Sequence, residues 1–129
     1  MPENMPLAIE EYCRANSLKI PRTQGEMFRA IQESIAAKYA KVFSNMKKIS
    51  GVGIDRIHIM GGGSKDAMLN QFAADATGCE ISAGPTESTA FGNVAMQMKA
   101  LGDISSVAEG RAVIVNSCEP KIFEPSKSA

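Results

Sequence analysis

The chain has no tryptophan, and its aromatic residues are five phenylalanines and two tyrosines. So sparse a set offers no platform on which successive bases could stack, which argues against single-stranded nucleic-acid binding. Net charge is missing as well, with fourteen lysines and arginines against fourteen aspartates and glutamates. Binding to nucleic acid or to an anionic membrane through charge needs a basic excess, so neither partner is expected. No apolar run approaches the roughly 20 residues that cross a bilayer, and Met1-Pro2-Glu3-Asn4 lacks the charged-then-apolar start of a secretion signal. A cytoplasmic protein is the expectation. One histidine and three scattered cysteines, Cys13, Cys79 and Cys118, without a CxxC pair, make no metal-ligand pattern, and buried free thiols are expected instead.

What is present suits one domain with a single core: 129 residues, 44% of them hydrophobic and 22% charged, with no internal repeat. Ile9, Tyr12 and Cys13 recur at helical spacing between Pro6 and Ala15, with Asn4 or Met5 as the cap. Thr23 and Glu26 then have the spacing of a capping box. Behind them Met27, Ile31, Ile35, Tyr39, Val42, Met46 and Ile49 mark one face of a long helix that Ser50-Gly51 ends.

Arg56 to Met60 is an apolar, β-branched run read as a buried strand, and Gly61-Gly62-Gly63 places a turn between it and a helix beginning near Ser64. That helix carries Leu69, Phe72, Ala73 and Ala76 inward and stops at Gly78. A second strand, Cys79 to Ala83, is broken by Gly84-Pro85, and a helix capped by Thr86 presents Phe91, Val94, Ala95, Met98 and Leu101 before Gly102. Strand, helix, strand, helix with short links is a right-handed βαβ unit, so the class is α/β with two parallel neighbouring strands and four to five helices. Ser106 and Glu109 favour a last helix to about Asn116, against the β-branched run Val113-Ile114-Val115. Residues 120–129, with two prolines, are expected to fray after a short extended Lys121-Ile122-Phe123. Two parallel strands alone leave edges and helix faces uncovered, which invites self-association.

The triple glycine is the candidate site. Glycine accepts backbone angles that a Cβ forbids and lets a ligand approach the main chain. A dinucleotide fingerprint would need a third glycine where Asp66 stands and has only Glu80 as partial support, so a structural turn is the more ordinary reading of the glycines alone. A phosphate loop needs Gly-Lys-Ser/Thr, and Gly63-Ser64-Lys65 has the wrong order. Asp66 in a first helical turn is favoured by the dipole and repels phosphate, so a contact from it to a nucleotide would go to base or ribose. His58 lacks a nucleophile or carboxylate at telling spacing and reads as a core or edge histidine. Gly84 to Asn93 reads either as a helix entrance in which Gly92 allows close packing, or as a ligand contact.

Taken together, Ile57-His58-Ile59-Met60-Gly61-Gly62-Gly63, Leu69-Asn70-Gln71 with Ala74-Asp75 and Gly78, and Gly84-Pro85 with Glu87 and Gly92-Asn93 resemble the C-terminal part of the FGGY-type carbohydrate kinases. Pro2-Glu3-Asn4-Met5 and the helix with Glu26, Met27, Ala30, Ile31 and Glu33 are similar too. Gln32 stands where that family has a large apolar residue, and Asp66 where sister kinases often place an Asn. The resemblance implies a partial actin-like, RNase H-like ATPase domain: residues 1–129 would be the C-terminal portion of the second lobe. It implies an ATP site on the adenine and ribose side with Gly62 foremost, Gly61 and Gly63 as supports and Asp66 beside them. ATP and Mg2+ would be the cofactors and a ketose such as L-rhamnulose the acceptor. The catalytic carboxylate, the phosphate loop and the sugar contacts would lie upstream, leaving no catalytic residue in this chain. Without that resemblance, a stand-alone nucleotide-binding or oligomerisation module is the alternative.

Overall fold

In the computed structural model, which describes residues 2–126, five helices and three strands come in the order α1 (Met5–Ala15), α2 (Gln24–Ser50), β1 (Arg56–Ile59), α3 (Ala67–Thr77), β2 (Glu80–Ala83), α4 (Ser88–Leu101), α5 (Val107–Ser117) and β3 (Lys121–Phe123). Local chemistry sets the helix ends. Asn4 accepts from Leu7 N–H at the start of α1, and Thr23 accepts from Glu26 N–H at the start of α2. Gly51, Gly78 and Gly102 close α2, α3 and α4 in the left-handed conformation. In α5 the Ser106 hydroxyl accepts from Glu109 N–H and the Glu109 carboxylate accepts from Ser105 N–H, so the cap overrides the β-branched run. None of the helices is long and apolar enough to cross a membrane among the described residues.

β1 and β2 are parallel, with Arg56 opposite Glu80 and Ile59 opposite Ala83, as the βαβ pattern requires. The sheet has a third member, in the order β1-β2-β3. Lys121–Phe123 runs antiparallel to β2, pairing Ile81 with Phe123 and Ala83 with Lys121. The short extended Lys121-Ile122-Phe123 expected from the sequence is thus a strand of the sheet. Three residues of strand suffice because β2 offers a free edge, and a side-chain clamp holds residues 124–126 beyond it. Asp75 on α3 accepts from Ser126 N–H at 2.7 Å and from Gln71 Nε2, which also donates to the Glu124 carbonyl. Residues 127–129, part of the tail expected to fray, lie outside the described residues.

The Ser126 N–H, and after it the Gln71 amide, hold the Asp75 carboxyl below the ordinary aspartate value of 3.8. A carboxyl lowered in the folded state favours that state above its unfolded pKa, and the contribution disappears as the pH falls through the folded value. The Ser126 amide should accordingly be protected from hydrogen exchange at neutral pH and lose that protection below pH 3.8, ahead of the β2 amides. Equal loss at Ser126 and Ile81 across that range would show that Asp75 does not hold the segment.

The core is the sheet face under α3: Ile81, Ala73 and Ala74, with Ile57, Ile59 and Phe123 packed around them. α2 lies against α3 on its other side. The face it buries is not the one its apolar spacing predicts. Gln32, Ala36 and Phe43 are buried, whereas Val42, Met46 and Ile49 are exposed, Ile49 by 87%. The contact face is rotated by one residue, about 100° around the helix, from the apolar stripe. α2 thus carries two adjacent surfaces, and among the described residues the more apolar one is covered only in part, at half-buried Met27 and Ile35. A Cβ added at Gly92 would meet nothing within 4 Å, and the close approach between α4 and α5 is made at Gly110, where a Cβ would crowd Ala95 and Ile104.

Candidate functional site

β1 ends at Ile59, and residues Gly61–Lys65 wind into one tight 3-10 turn before α3 begins at Ala67. The glycines therefore leave the sheet at its carboxyl end, as the sequence implies, but the helix starts later than Ser64. Two backbone hydrogen bonds tie this turn to the loop after β2: Gly61 N–H donates to the Pro85 carbonyl at 3.1 Å and Gly84 N–H to the Ile59 carbonyl at 2.8 Å. The two glycine-rich stretches, separate in sequence, are thus one surface. Inside it the Ser64 hydroxyl donates to the Gly61 carbonyl at 2.7 Å and lies 3.3 Å from the Thr86 hydroxyl. Thr86, expected to cap α4, serves this contact, and α4 starts after Glu87 without a side-chain cap. Fully buried Asn70 donates to the Ser64 carbonyl at 3.1 Å, holding the turn from below.

The three glycines differ in what requires them. Gly61 has φ of 77°, a conformation a side chain resists, so the backbone itself demands glycine there. A Cβ on Gly63 would only touch Ile59, at 3.5 Å. Gly62 is exposed, has ordinary backbone angles, and a Cβ built on it meets nothing within 4 Å. Among the described residues nothing explains its glycine.

Asp66 caps α3. Its Oδ1 accepts from Leu69 N–H at 3.0 Å, and its Oδ2 accepts from Gln32 Nε2 at 2.6 Å. The positive end of α3 is consequently covered by a carboxylate of the chain itself and disfavours a phosphate there. Gln32, 34 residues away, is not visible as a partner from sequence. Its one trace is a polar residue among apolar neighbours on a helix. The two positions at which the sequence departs from the family resemblance are partners of one another.

Beside the turn lies a cavity of about 340 Å³ walled by Ser64, Lys65, Pro85, Thr86, Phe91 and Lys121. Gly84 lines this cavity, whereas Gly61, Gly62 and Gly63 do not. His58, exposed on β1, borders a different hollow, an apolar trough of about 630 Å³ between the sheet and Phe43, Val42 and Met46 of α2. Cys13 and Cys79 are buried and Cys118 half-buried, all as free thiols. Among the described residues no three His, Cys, Asp or Glu side chains come together in a way that could hold a metal ion.

A parallel strand pair whose carboxyl ends open into glycine-rich loops is the ligand-binding arrangement of open α/β domains. A family model described as "FGGY family of carbohydrate kinases, C-terminal domain" matches residues 1–101, and the chain belongs to that family. Its fold is accordingly the actin-like, RNase H-like one. Among similar proteins, a rhamnulokinase of Bacteroides thetaiotaomicron is 40% identical over 128 residues, covering 99% of this chain and 26% of the relative. A rhamnulokinase of Bacillus subtilis is 42% identical over 124 residues, covering 96% and 26%. One of Ligilactobacillus salivarius is 40% identical over 126 residues, covering 98% and 26%. The chain thus spans about a quarter of the length of the curated relatives it matches.

Proposed function

We propose that this chain is the C-terminal part of an ATP-dependent ketose kinase of the cytoplasm, with L-rhamnulose as acceptor, and that it supplies the adenine and ribose side of the nucleotide site. The observation that carries the nucleotide assignment is Gly62, an exposed glycine with unstrained angles and open space where its side chain would be. A flat main-chain surface there admits a base or ribose to van der Waals distance. Gly61 and Gly63 support it, the first by making the bend. Asp66 stands beside the nucleotide and acts by fixing the turn, since both its oxygens already accept hydrogen bonds. The carboxylate at the start of α3 disfavours phosphate, which agrees with the base and ribose lying here and the phosphates pointing away.

Phosphoryl transfer rests on positioning and on charge stabilisation: Mg2+ would supply positive charge to the phosphates, and a carboxylate would accept the hydroxyl proton. Among the described residues no group fits a metal cage, so Mg2+ would arrive on the ATP phosphates, and the proton acceptor and sugar contacts would come from the upstream portion. The complete polypeptide should phosphorylate L-rhamnulose with ATP, measured by coupled ADP release. The 129-residue chain alone should give no turnover above a no-protein blank. Turnover by the chain alone would overturn the assignment of the base to another part of the molecule, and a complete polypeptide inactive on every ketose tested would overturn the kinase reading.

A further inference from the structure

We propose that Gln32 is a positioning residue for the nucleotide, holding the glycine turn in register with α2 through the Asp66 carboxylate. This inference rests on the assignment of the turn to ATP. Gln32 is 5% exposed, and its Nε2 donates to Asp66 Oδ2 at 2.6 Å, a short, charge-assisted hydrogen bond. An ionised carboxylate only accepts, so the amide must present its nitrogen to it, and the orientation is fixed. That orientation leaves Gln32 Oε1 buried with no partner. A buried acceptor without a donor forfeits its hydration, a cost that the bond to Asp66 has to offset. The arrangement secures the rotamer of Asp66.

The chain of contacts to the glycines is short. Asp66 Oδ1 accepts from Leu69 N–H, which seats the carboxylate on α3, while Asp66 N–H donates to the Gly63 carbonyl at 3.2 Å, which closes the 3-10 turn. A pull on Oδ2 from α2 therefore reaches the main chain at Gly63 through one residue. With Gln32 absent, the carboxylate retains its cap on one side only, and the turn loses its lateral tie to the long helix. The height of Gly62 relative to α2 is then no longer set, and a nucleotide lying on it meets a less ordered surface.

The test compares variants of the complete polypeptide by ATP and sugar kinetics. Gln32→Leu should raise KM for ATP roughly three- to tenfold and leave KM for the sugar unchanged, with a melting temperature only slightly altered because the lost bond and the lost unpaired Oε1 offset one another. Gln32→Glu, which sets a carboxylate against Asp66, should raise KM for ATP further. Adding Asp66→Asn to Gln32→Glu should bring it back toward the parent value, because the amide introduced at position 66 can donate to the new carboxylate while its oxygen still caps Leu69. A merely structural pair would show these effects in melting temperature and in both KM values alike, and that pattern overturns the proposal. If Gly62→Val raises KM for ATP while both Gln32 variants leave it unchanged, positioning by Gln32 is overturned and the nucleotide reading stands. If none of the three changes KM for ATP, the nucleotide reading falls with it.

Discussion

Valine in place of Gly62 should raise KM for ATP in the complete polypeptide by about tenfold or more, with KM for the sugar and the melting temperature nearly unchanged. The chain itself has no objection to the substitution: φ at this position is not left-handed, and the space ahead of a Cβ is empty to 4 Å. The added carbons project from a surface that none of the described residues covers, where the proposed nucleotide would meet them. Overfilling a packed contact costs about 1–3 kcal/mol, and each 1.4 kcal/mol or so is a factor of about ten in affinity. Gly61→Val makes the contrast. There φ is 77°, so valine should lower thermal stability by about 1–3 kcal/mol before any ligand is considered. Unchanged ATP kinetics in a well-folded Gly62→Val variant would mean that no nucleotide lies against the turn.

The second large effect is on the fold. Ile81 is wholly buried at the centre of β2, between α3 and the flanking strands, and pairs with both Ile57 and Phe123. Ile81→Ala should cost about 2–5 kcal/mol, the range for removing an aliphatic side chain from a core that cannot collapse around the gap. Domains are stable by only about 5–15 kcal/mol, so the urea midpoint of the isolated chain should fall steeply while the slope of the transition holds. Ile49→Ala, at a side chain 87% exposed, should stay within about 0.5 kcal/mol. Similar shifts for the two variants would mean that the core is not centred on β2.

The sequence discloses what is written locally. Thr23 and Glu26, Ser106 and Glu109, and glycines 51, 78 and 102 fix helix ends to within a residue or two, because caps are contacts between near neighbours. The βαβ order and the bend at residues 61–63 arise from the same short-range signals. What joins distant segments stays hidden. The Gln32–Asp66 bond spans 34 residues and the Asp75–Ser126 clamp 51, and neither leaves a periodic mark. β3 is too short for a pattern and exists because β2 has an edge to pair with. The buried face of α2 is misplaced by its spacing for a related reason: periodicity locates an apolar stripe, and it does not say whether this chain or another covers it. At the candidate site the glycines are legible, while their joint surface with Gly84 and Pro85 requires the sheet to bring them together.

A run of three glycines invites comparison with a hinge, but the pair of hydrogen bonds across Ile59, Gly61, Gly84 and Pro85 tells against such a use. Those bonds rivet two loops into one stiff plate at the end of the sheet, and Ser64 and Asn70 brace it from beneath. If the chain serves the proposed kinase, a closing movement over the nucleotide would carry this plate as a rigid piece, with the bending placed elsewhere. Glycine here gives smoothness rather than suppleness.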